Sequence, residues 1–276
     1  MGCQEVCMQT CGELLYAAVM TTGPTDARSL QVRIADDIRA QIETGAYAPG
    51  QQLPTYDELA DQYLCSLAAA RKAIDLLKQQ GLVITKQGKG SYVRERPRAR
   101  RHGMDRYSRK RWSSGTLILV GEAADQGYKA TQLIRALEET PAPGPVAERL
   151  GIEPGKPVWV RRRTTFINDR PNQLADSFFT LEVAEAVPRL KEEETGPGGG
   201  FARLEDAGYT LARIREEVAV RMPTGPESVA LRLPEGTPVA ELIRTTQDSN
   251  GHPVEVMIAV IAGDMVTFDY DFPMPE

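Results

Sequence analysis

Apolar residues recur every four positions from Leu30 through Ile34, Ile38 and Ile42, with charged and polar residues between them. That stripe predicts an amphipathic helix from about Ser29 to Thr44, ended by Gly45 and followed by a turn at Pro49-Gly50. A second helix starts at Thr55, where Thr55-x-x-Glu58 has the form of a capping box, with Leu59, Ala60 and Tyr63 turned inward. A third has Ser66 as its N-cap, a buried stripe of Leu67, Ala70, Ile74 and Leu77, and Gly81 as its stop. Beyond it, Leu82 to Lys86 and Ser91 to Val93 predict a hairpin turning at Gln87-Gly88-Lys89-Gly90, where glycine permits positive φ and close approach to a phosphate.

One helix, two short helices joined by a tight turn and a hairpin make a winged helix-turn-helix, a shape that sets a helix into the DNA major groove. A DNA-binding regulator is therefore the first reading. The rest of the chain must then say what it responds to.

The pattern changes from Thr116. TLILVGEA is expected as a strand and Lys129 to Glu139 as a helix carrying Leu133, Ile134 and Leu137. Pro141 to Pro145 breaks the chain, and Val146 to Leu150 is a short helix. An internal repeat follows. Gly155-Lys-Pro-Val158 matches Gly236-Thr-Pro-Val239, and Arg163-Thr164-Thr165 matches Arg244-Thr245-Thr246, both offset by 81 residues. Each copy runs on to a polar turn and another strand, so each unit is a short helix followed by a β-hairpin. Phe201 to Gly208 supplies a helix between the units and Thr210 to Arg221 a strand. Two hairpins pairing in one antiparallel sheet, with helices on one face, give an α+β layer.

Charge sharpens this division. The net charge of −5 hides −3 over residues 1–27, +8 over 28–111 and −10 over 112–276. A basic module joined to an acidic one suits a DNA-binding head tethered to a part that does not bind DNA. Most of the excess lies in residues 94–111, expected as a flexible basic linker that adds salt-sensitive phosphate affinity. Cys3, Cys7 and Cys11 crowd the first residues, and the fourth cysteine is Cys65. This is no disulfide framework, which points to a reducing, cytoplasmic setting. No run is long and apolar enough for a membrane helix.

The division expected is thus an N-terminal, disordered extension over 1–27, a winged helix-turn-helix over 28–94, a basic linker over 95–115 and a sheet domain over 116–276. No metal, cofactor or catalytic residue is expected. The chain has two histidines and shows no H-E-x-x-H, P-loop or G-x-S-x-G motif. Gly198-Gly-Gly200 stands without the strand and helix of a P-loop.

The head resembles the N-terminal domain of the GntR superfamily of bacterial transcription regulators. The matching pieces are G-x-Y-x-P-G-x-x-L-P from Gly45 to Pro54, D-E-L-A from Asp57 to Ala60, R-K-A-I-x-L-L-x-x-x-G-L from Arg71 to Leu82, and the wing Q-G-K-G-S-Y-V. The resemblance implies that Thr55, Ser66, Arg71, Lys72, Gly88 and Lys89 face DNA. Asp57, Leu67 and Ala69 depart from it, standing where the family usually places Arg, Arg and Thr. The absence of each base-reading Arg removes about 1–3 kcal/mol of discrimination.

The second half resembles the UTRA ligand-sensing domain of HutC-like GntR regulators, a fold related to chorismate lyase. The resemblance rests on Val146 to Gly151, Glu153 to Val158, Leu231 to Val239, Gly251 to Glu255, and Asp264. It implies a homodimer on double-stranded operator DNA, with a small-molecule effector held by Lys129, Thr131, Arg163, Thr165, Phe201 and Glu255. Thr165 replaces a second pocket Arg and Phe201 a Tyr, so an effector less polar than a sugar phosphate is expected. The alternatives to this repressor reading are a DNA-binding protein without effector response and a lyase-like enzyme. Fold kinship alone does not imply catalysis.

Overall fold

A computed structural model of the chain describes residues 28–95, 99–103, 105–113, 115, 117–272 and 274. The expected extension over 1–27, with Cys3, Cys7 and Cys11, lies outside the described residues. Among those residues no helix is long and apolar enough to cross a membrane.

The head follows its pattern. Helix α1 (Leu30–Glu43) buries Ile34, Ala35 and Ile38, α2 (Tyr56–Gln62) buries Leu59, and α3 (Leu67–Gln79) buries Ala70, Ala73, Ile74 and Leu77. At seven residues α2 is too short to stand alone in water, so its packing on this shared core holds it. The wing is β1 (Val83–Lys86) against β2 (Gly90–Val93), antiparallel, with Val83 opposite Val93.

The second half is built on six antiparallel strands: β4 (Ala130–Pro141), β5 (Pro157–Ile167), β6 (Arg170–Thr180), β7 (Leu211–Arg221), β8 (Val239–Asp248) and β9 (Pro253–Ala262). Their order is β4-β5-β6-β9-β8-β7. Two equivalent halves meet where β6 pairs with β9. Helix α6 (Gly144–Leu150) falls between β4 and β5 as α9 (Gly225–Ala230) falls between β7 and β8, so the 81-residue repeat covers a whole strand-helix-hairpin unit.

Side chains alternate between sheet faces. Val158, Val160, Phe178 and Val256 pack under α6. The opposite face meets α7 (Leu181–Ala186), a 3₁₀ turn at Pro188–Lys191 and α8 (Gly199–Asp206) through Phe179, Leu190, Phe201 and Leu204. Helices therefore cover both faces, not one.

Three further expectations are corrected. TLILVGEA is not a strand: Ile118–Ala124 forms helix α5, with Glu122 and Ala123 buried. Short apolar runs are ambiguous by pattern, and here a neighbouring layer decides. Lys129 to Glu139 is not a helix but the edge strand β4, paired with β5 from Ala130 opposite Ile167 to Pro141 opposite Pro157. Leu133, at 57% exposed, contributes nothing to a core, so pairing rather than burial fixes the element.

The described part of the linker, finally, is not a flexible arm. Ala99–His102 forms β3, parallel to β10 (Val266–Asp269). It leads through a 3₁₀ turn at Asp105–Tyr107 into α4 (Arg109–Ser113), whose Trp112 is buried. Its basic side chains meet acids of the sheet domain: Arg101 with Glu216 at 2.8 Å, Arg106 with Glu122 at 3.2 Å, Arg109 with Glu205 at 3.0 Å and Arg111 with Asp125 at 2.8 Å. The acidic excess of the second half is used in part by these pairs.

The head is seated on the sheet domain. Arg94 and Asp264 form a buried pair at 2.6 Å, and Arg170 Nη1 donates to the Glu95 carbonyl at 2.8 Å. A Cβ on Gly236 would lie 2.4 Å from the carbonyl oxygen of Gln79, the last residue of α3. Only glycine allows that approach.

Candidate functional site

Two surfaces carry the chemistry. On the head, Thr55, Ser66, Arg71, Lys72, Gly88 and Lys89 are all exposed. Thr55 Oγ1 accepts from the Glu58 amide while the Glu58 carboxylate accepts from the Thr55 amide, the capping box the spacing predicts. Ser66 Oγ accepts from the Ala69 amide at 3.3 Å. Both residues thus secure helix starts whether or not DNA is present.

Helix α3 turns Leu67, Ala68, Arg71 and Lys72 outward, two pairs at i,i+4 spacing. The Arg71 guanidinium lies over the Tyr56 ring, 5.3 Å from its centroid, which steadies its stem. Leu67 is 45% exposed and Asp57 is exposed in the first turn of α2, so neither departure from the family pattern is absorbed into the core. At the wing tip the Lys89 carbonyl accepts from Tyr92 Oη at 2.9 Å and from Gln52 Nε2 at 3.0 Å. Gly88 and Gly90 take φ of +69° and +97°, so the tip is a fixed turn rather than a loose loop.

The second surface is a cavity of about 120 Å³ between the sheet and the segments above it. The floor is one sheet face: Arg161, Arg163 and Thr165 of β5, Gln173, Ala175 and Ser177 of β6, Arg244 of β8 and Glu255 of β9. The roof is Arg101 of β3, Arg106 of the 3₁₀ turn, Leu117 to Leu119 at the start of α5, and Gly198 to Phe201 at the start of α8. A Cβ on Gly198 would lie 2.5 Å from the Trp112 carbonyl oxygen and one on Gly199 3.0 Å from Leu117. The glycine run is what lets α8 close against the roof.

The arginines of this cavity differ in their partners. Arg161 donates to the carbonyls of Leu190 (2.6 Å), Glu192 and Glu193 (3.2 Å), bracing the 3₁₀ turn at Pro188–Lys191. Burial, with Arg163 nearby, pushes its pKa down to about 10. Arg244 Nη2 donates to Glu255 Oε2 at 2.6 Å, and its guanidinium lies over the rings of Phe201 (4.8 Å) and Tyr107 (5.5 Å). Burial is the largest influence and opposes its charge, but Glu255 and Tyr107 together outweigh it and the net shift is upward. Burial likewise works against Glu255, and Arg244 and Arg163 hold its carboxyl below the usual range.

Arg163 makes no ion pair at contact distance among the described residues, although Glu255 lies close enough to favour its charge. Its Nη2 donates to the Ser177 hydroxyl and its Nε is buried without a partner among the described residues. Desolvation lowers its pKa against the opposing pull of Glu255. Arg106, 4% exposed, keeps Glu122 but leaves Nε and Nη1 unpartnered, and burial beside Arg101 pushes it down to about 10. Arg101, 6% exposed, reaches Glu216 and Tyr107 Oη and leaves Nε unpartnered among the described residues. Thr165 Oγ1 is likewise buried and unpartnered among the described residues.

Of the six residues expected around an effector, Arg163, Thr165, Phe201 and Glu255 line the cavity. Lys129 and Thr131 do not. Lys129 precedes β4, its backbone tied to Asn168, and Thr131 is exposed on the strand face opposite Gln132, which does line the cavity. The chain reaches the cavity earlier, at Leu117 to Leu119. Sequence reasoning also missed Arg101, Arg106, Arg161 and Ser177. The Arg161-x-Arg163 spacing, which puts both side chains on one face of a strand, was a usable signal for Arg161. The linker arginines carried none, because nothing local ties them to the sheet.

Residues 30–93 match the gntR family of bacterial regulatory proteins, and residues 125–267 match the UTRA domain. The chain is 33% identical over 249 residues to an HTH-type transcriptional regulator of Streptomyces coelicolor, covering 88% of this chain and 92% of that protein. It is 26% identical over 262 residues to a protein named as a fructoselysine utilization operon transcriptional repressor of Escherichia coli, covering 94% and 95%. Among solved structures it is similar to a GntR-family transcriptional regulator at 29% identity and a TM-score of 0.60, covering 90% of this chain and 99% of that one. These relatives are regulators, not enzymes.

Proposed function

The chain belongs to the GntR family of bacterial regulatory proteins and carries a UTRA domain, and from that membership we propose a repressor that leaves or holds its operator according to a small effector bound over the sheet. The head reads DNA with Arg71 and Lys72 of α3 and approaches a phosphate with Gly88 and Lys89 of the wing. Thr55 and Ser66 present their helix starts to the backbone. The effector occupies the cavity lined by Arg163, Thr165, Phe201 and Glu255. Lys129 and Thr131 have no part in it.

The observation that carries this reading is the contrast within one chain between exposed cationic side chains on a helix-and-wing face and buried arginines, some of whose nitrogens have no partner among the described residues, around a cavity over the sheet. A repressor's name in a relative supports the direction of control. The working form is a homodimer on a palindromic operator, joined through the sheet domain, since the half-site spacing of such proteins mirrors their twofold symmetry.

Footprinting the purified protein on the DNA upstream of its own coding region tests the reading. Protection of two symmetric half-sites is expected, and its loss in the Arg71→Glu, Lys89→Glu double variant. No protected site on that DNA, or full retention by the double variant, would count against it.

A further inference from the structure

From Thr55 to Ala70 the head carries no Lys or Arg and three acids, Asp57, Glu58 and Asp61. That stretch holds α2, the turn after it and the first residues of α3. In a helix-turn-helix the N-terminal residues of the second helix meet the base edges. The reading tip of this head therefore has no cation to offer before Arg71, in the second turn of α3.

What the tip offers instead is apolar. Leu67 is 45% exposed, and Leu64, in the turn before it, is 92% exposed. Ala68 is exposed and Ala69 half-buried. Leu64 holds a φ of +49°, a conformation that a large side chain rarely takes. Neither leucine belongs to the core of the head, to which α3 gives Ala70, Ala73, Ile74 and Leu77. The hydroxyl between the leucines, that of Ser66, is engaged by the Ala69 amide. Burial within the chain thus accounts for neither leucine.

Position decides what they meet. Leu67 and Ala68 precede Arg71 and Lys72 by four residues each, so the apolar pair and the cationic pair share one exposed helix face. Exposed Asp57 and Asp61 on α2 disfavour phosphate at the tip, which leaves base edges as its partner. In the major groove only thymine presents an apolar group, its C5-methyl.

We propose that Leu67, with Ala68 beside it, reads thymine C5-methyl groups in each operator half-site, and that Leu64 keeps water from the edge of that contact. Selectivity at these base pairs comes from apolar contact, where the family pattern places an arginine suited to guanine. This rests on the DNA-binding role proposed for the α3 face and adds to it the chemistry of the base that is read.

The test uses the full-length protein and the half-sites protected in the upstream footprint. Each thymine of one half-site, on both strands, is replaced singly by deoxyuridine, which removes the methyl and leaves base pairing intact. Affinity is measured by gel shift at fixed salt. At one or two positions the parent is expected to weaken about threefold to fivefold, the worth of burying one methyl group. Leu67→Ala, confirmed folded by its melting temperature, is expected to bind the unaltered operator more weakly and to be indifferent to uracil at those same positions. That loss of coupling separates a contact from a general effect on the helix. A half-site with no uracil-sensitive thymine overturns the proposal. So does a full uracil penalty retained by Leu67→Ala, and either result would return the leucines to a protein partner. Absence of any protected site would sink the regulator reading and this inference with it, whereas a protected site without uracil sensitivity would sink this inference alone.

Discussion

The head and the sheet domain use the same residue type in opposite ways. Arg71, Lys72 and Lys89 stand in solvent on a rigid framework, whereas Arg101, Arg106, Arg161 and Arg244 are all under 9% exposed and held by carboxylates, carbonyls or rings. An exposed cation can meet a polyanion at little desolvation cost, but it selects weakly. A buried cation is costly to keep and therefore discriminates: it accepts only what replaces its lost hydration. Under the proposed function, basic residues on this chain divide between long-range attraction to DNA and the lining of the effector cavity. Net charge alone would have assigned both groups to DNA.

The largest expected effect breaks the buried side of this contrast. Glu122→Ala leaves the buried Arg106 without its carboxylate and is expected to lower stability by about 3–5 kcal/mol in urea unfolding. Arg71→Ala should fall within about 0.5 kcal/mol of the parent in the same measurement. Next comes the exposed side. Replacing Arg71 and Lys89 by Gln is expected to reduce operator affinity by about 10–100-fold, because each side chain that reads a base or holds a phosphate supplies about 1–3 kcal/mol.

A finer test separates the two groups by salt. Lys89→Ala is expected to lessen the slope of log affinity against log salt by about 0.9, the contribution of one neutralised phosphate. Arg109→Ala should leave the slope unchanged, since Arg109 is engaged by Glu205 and the Leu211 carbonyl. A reduced slope for Arg109→Ala would restore the linker to DNA. The smallest effect concerns the sheet's second repeat. The Glu227 carboxyl is held down to about 2 by Arg221 and by the Thr224 cap. Its stabilisation is complete above the ordinary value of 4.5 and is lost as pH falls from there through about 2. Glu227→Gln should therefore be less stable than the parent at neutral pH and converge with it toward pH 2.

The head is legible in the sequence because its signals are local: a four-residue stripe, caps at Thr55 and Ser66 and glycines at the turns each specify an element without help from the rest of the chain. The sheet domain is legible in its repeat but not in two of its elements. The pattern of Thr210 to Arg221 points to the strand that forms there, whereas Leu133, Ile134 and Leu137 give its counterpart 81 residues earlier, β4, the look of a helix. Extending the repeat by one element corrects this, because β4 and β7 are equivalent edges of one sheet.

The site is half legible for a related reason. Arg163, Thr165, Phe201 and Glu255 sit in elements or motifs with their own pattern. Arg101 and Arg106 acquire meaning only when β3 pairs with β10, a pairing between residues more than 160 positions apart. Charge counting sees a basic arm there because the acids that neutralise it lie outside it, Glu122 in the next helix and Glu205 and Glu216 in distant elements.

One titration addresses the division most directly. Labelled upstream operator DNA is titrated at constant ionic strength with the Arg71→Gln, Lys89→Gln variant and with Arg101→Gln, each confirmed folded. The first is expected to lose specific binding and the second to keep the parent's affinity within about threefold, less than one typical hydrogen bond. Equal loss in both would show that the inter-domain arginines serve DNA, and would contradict the assignment of buried cations to the effector.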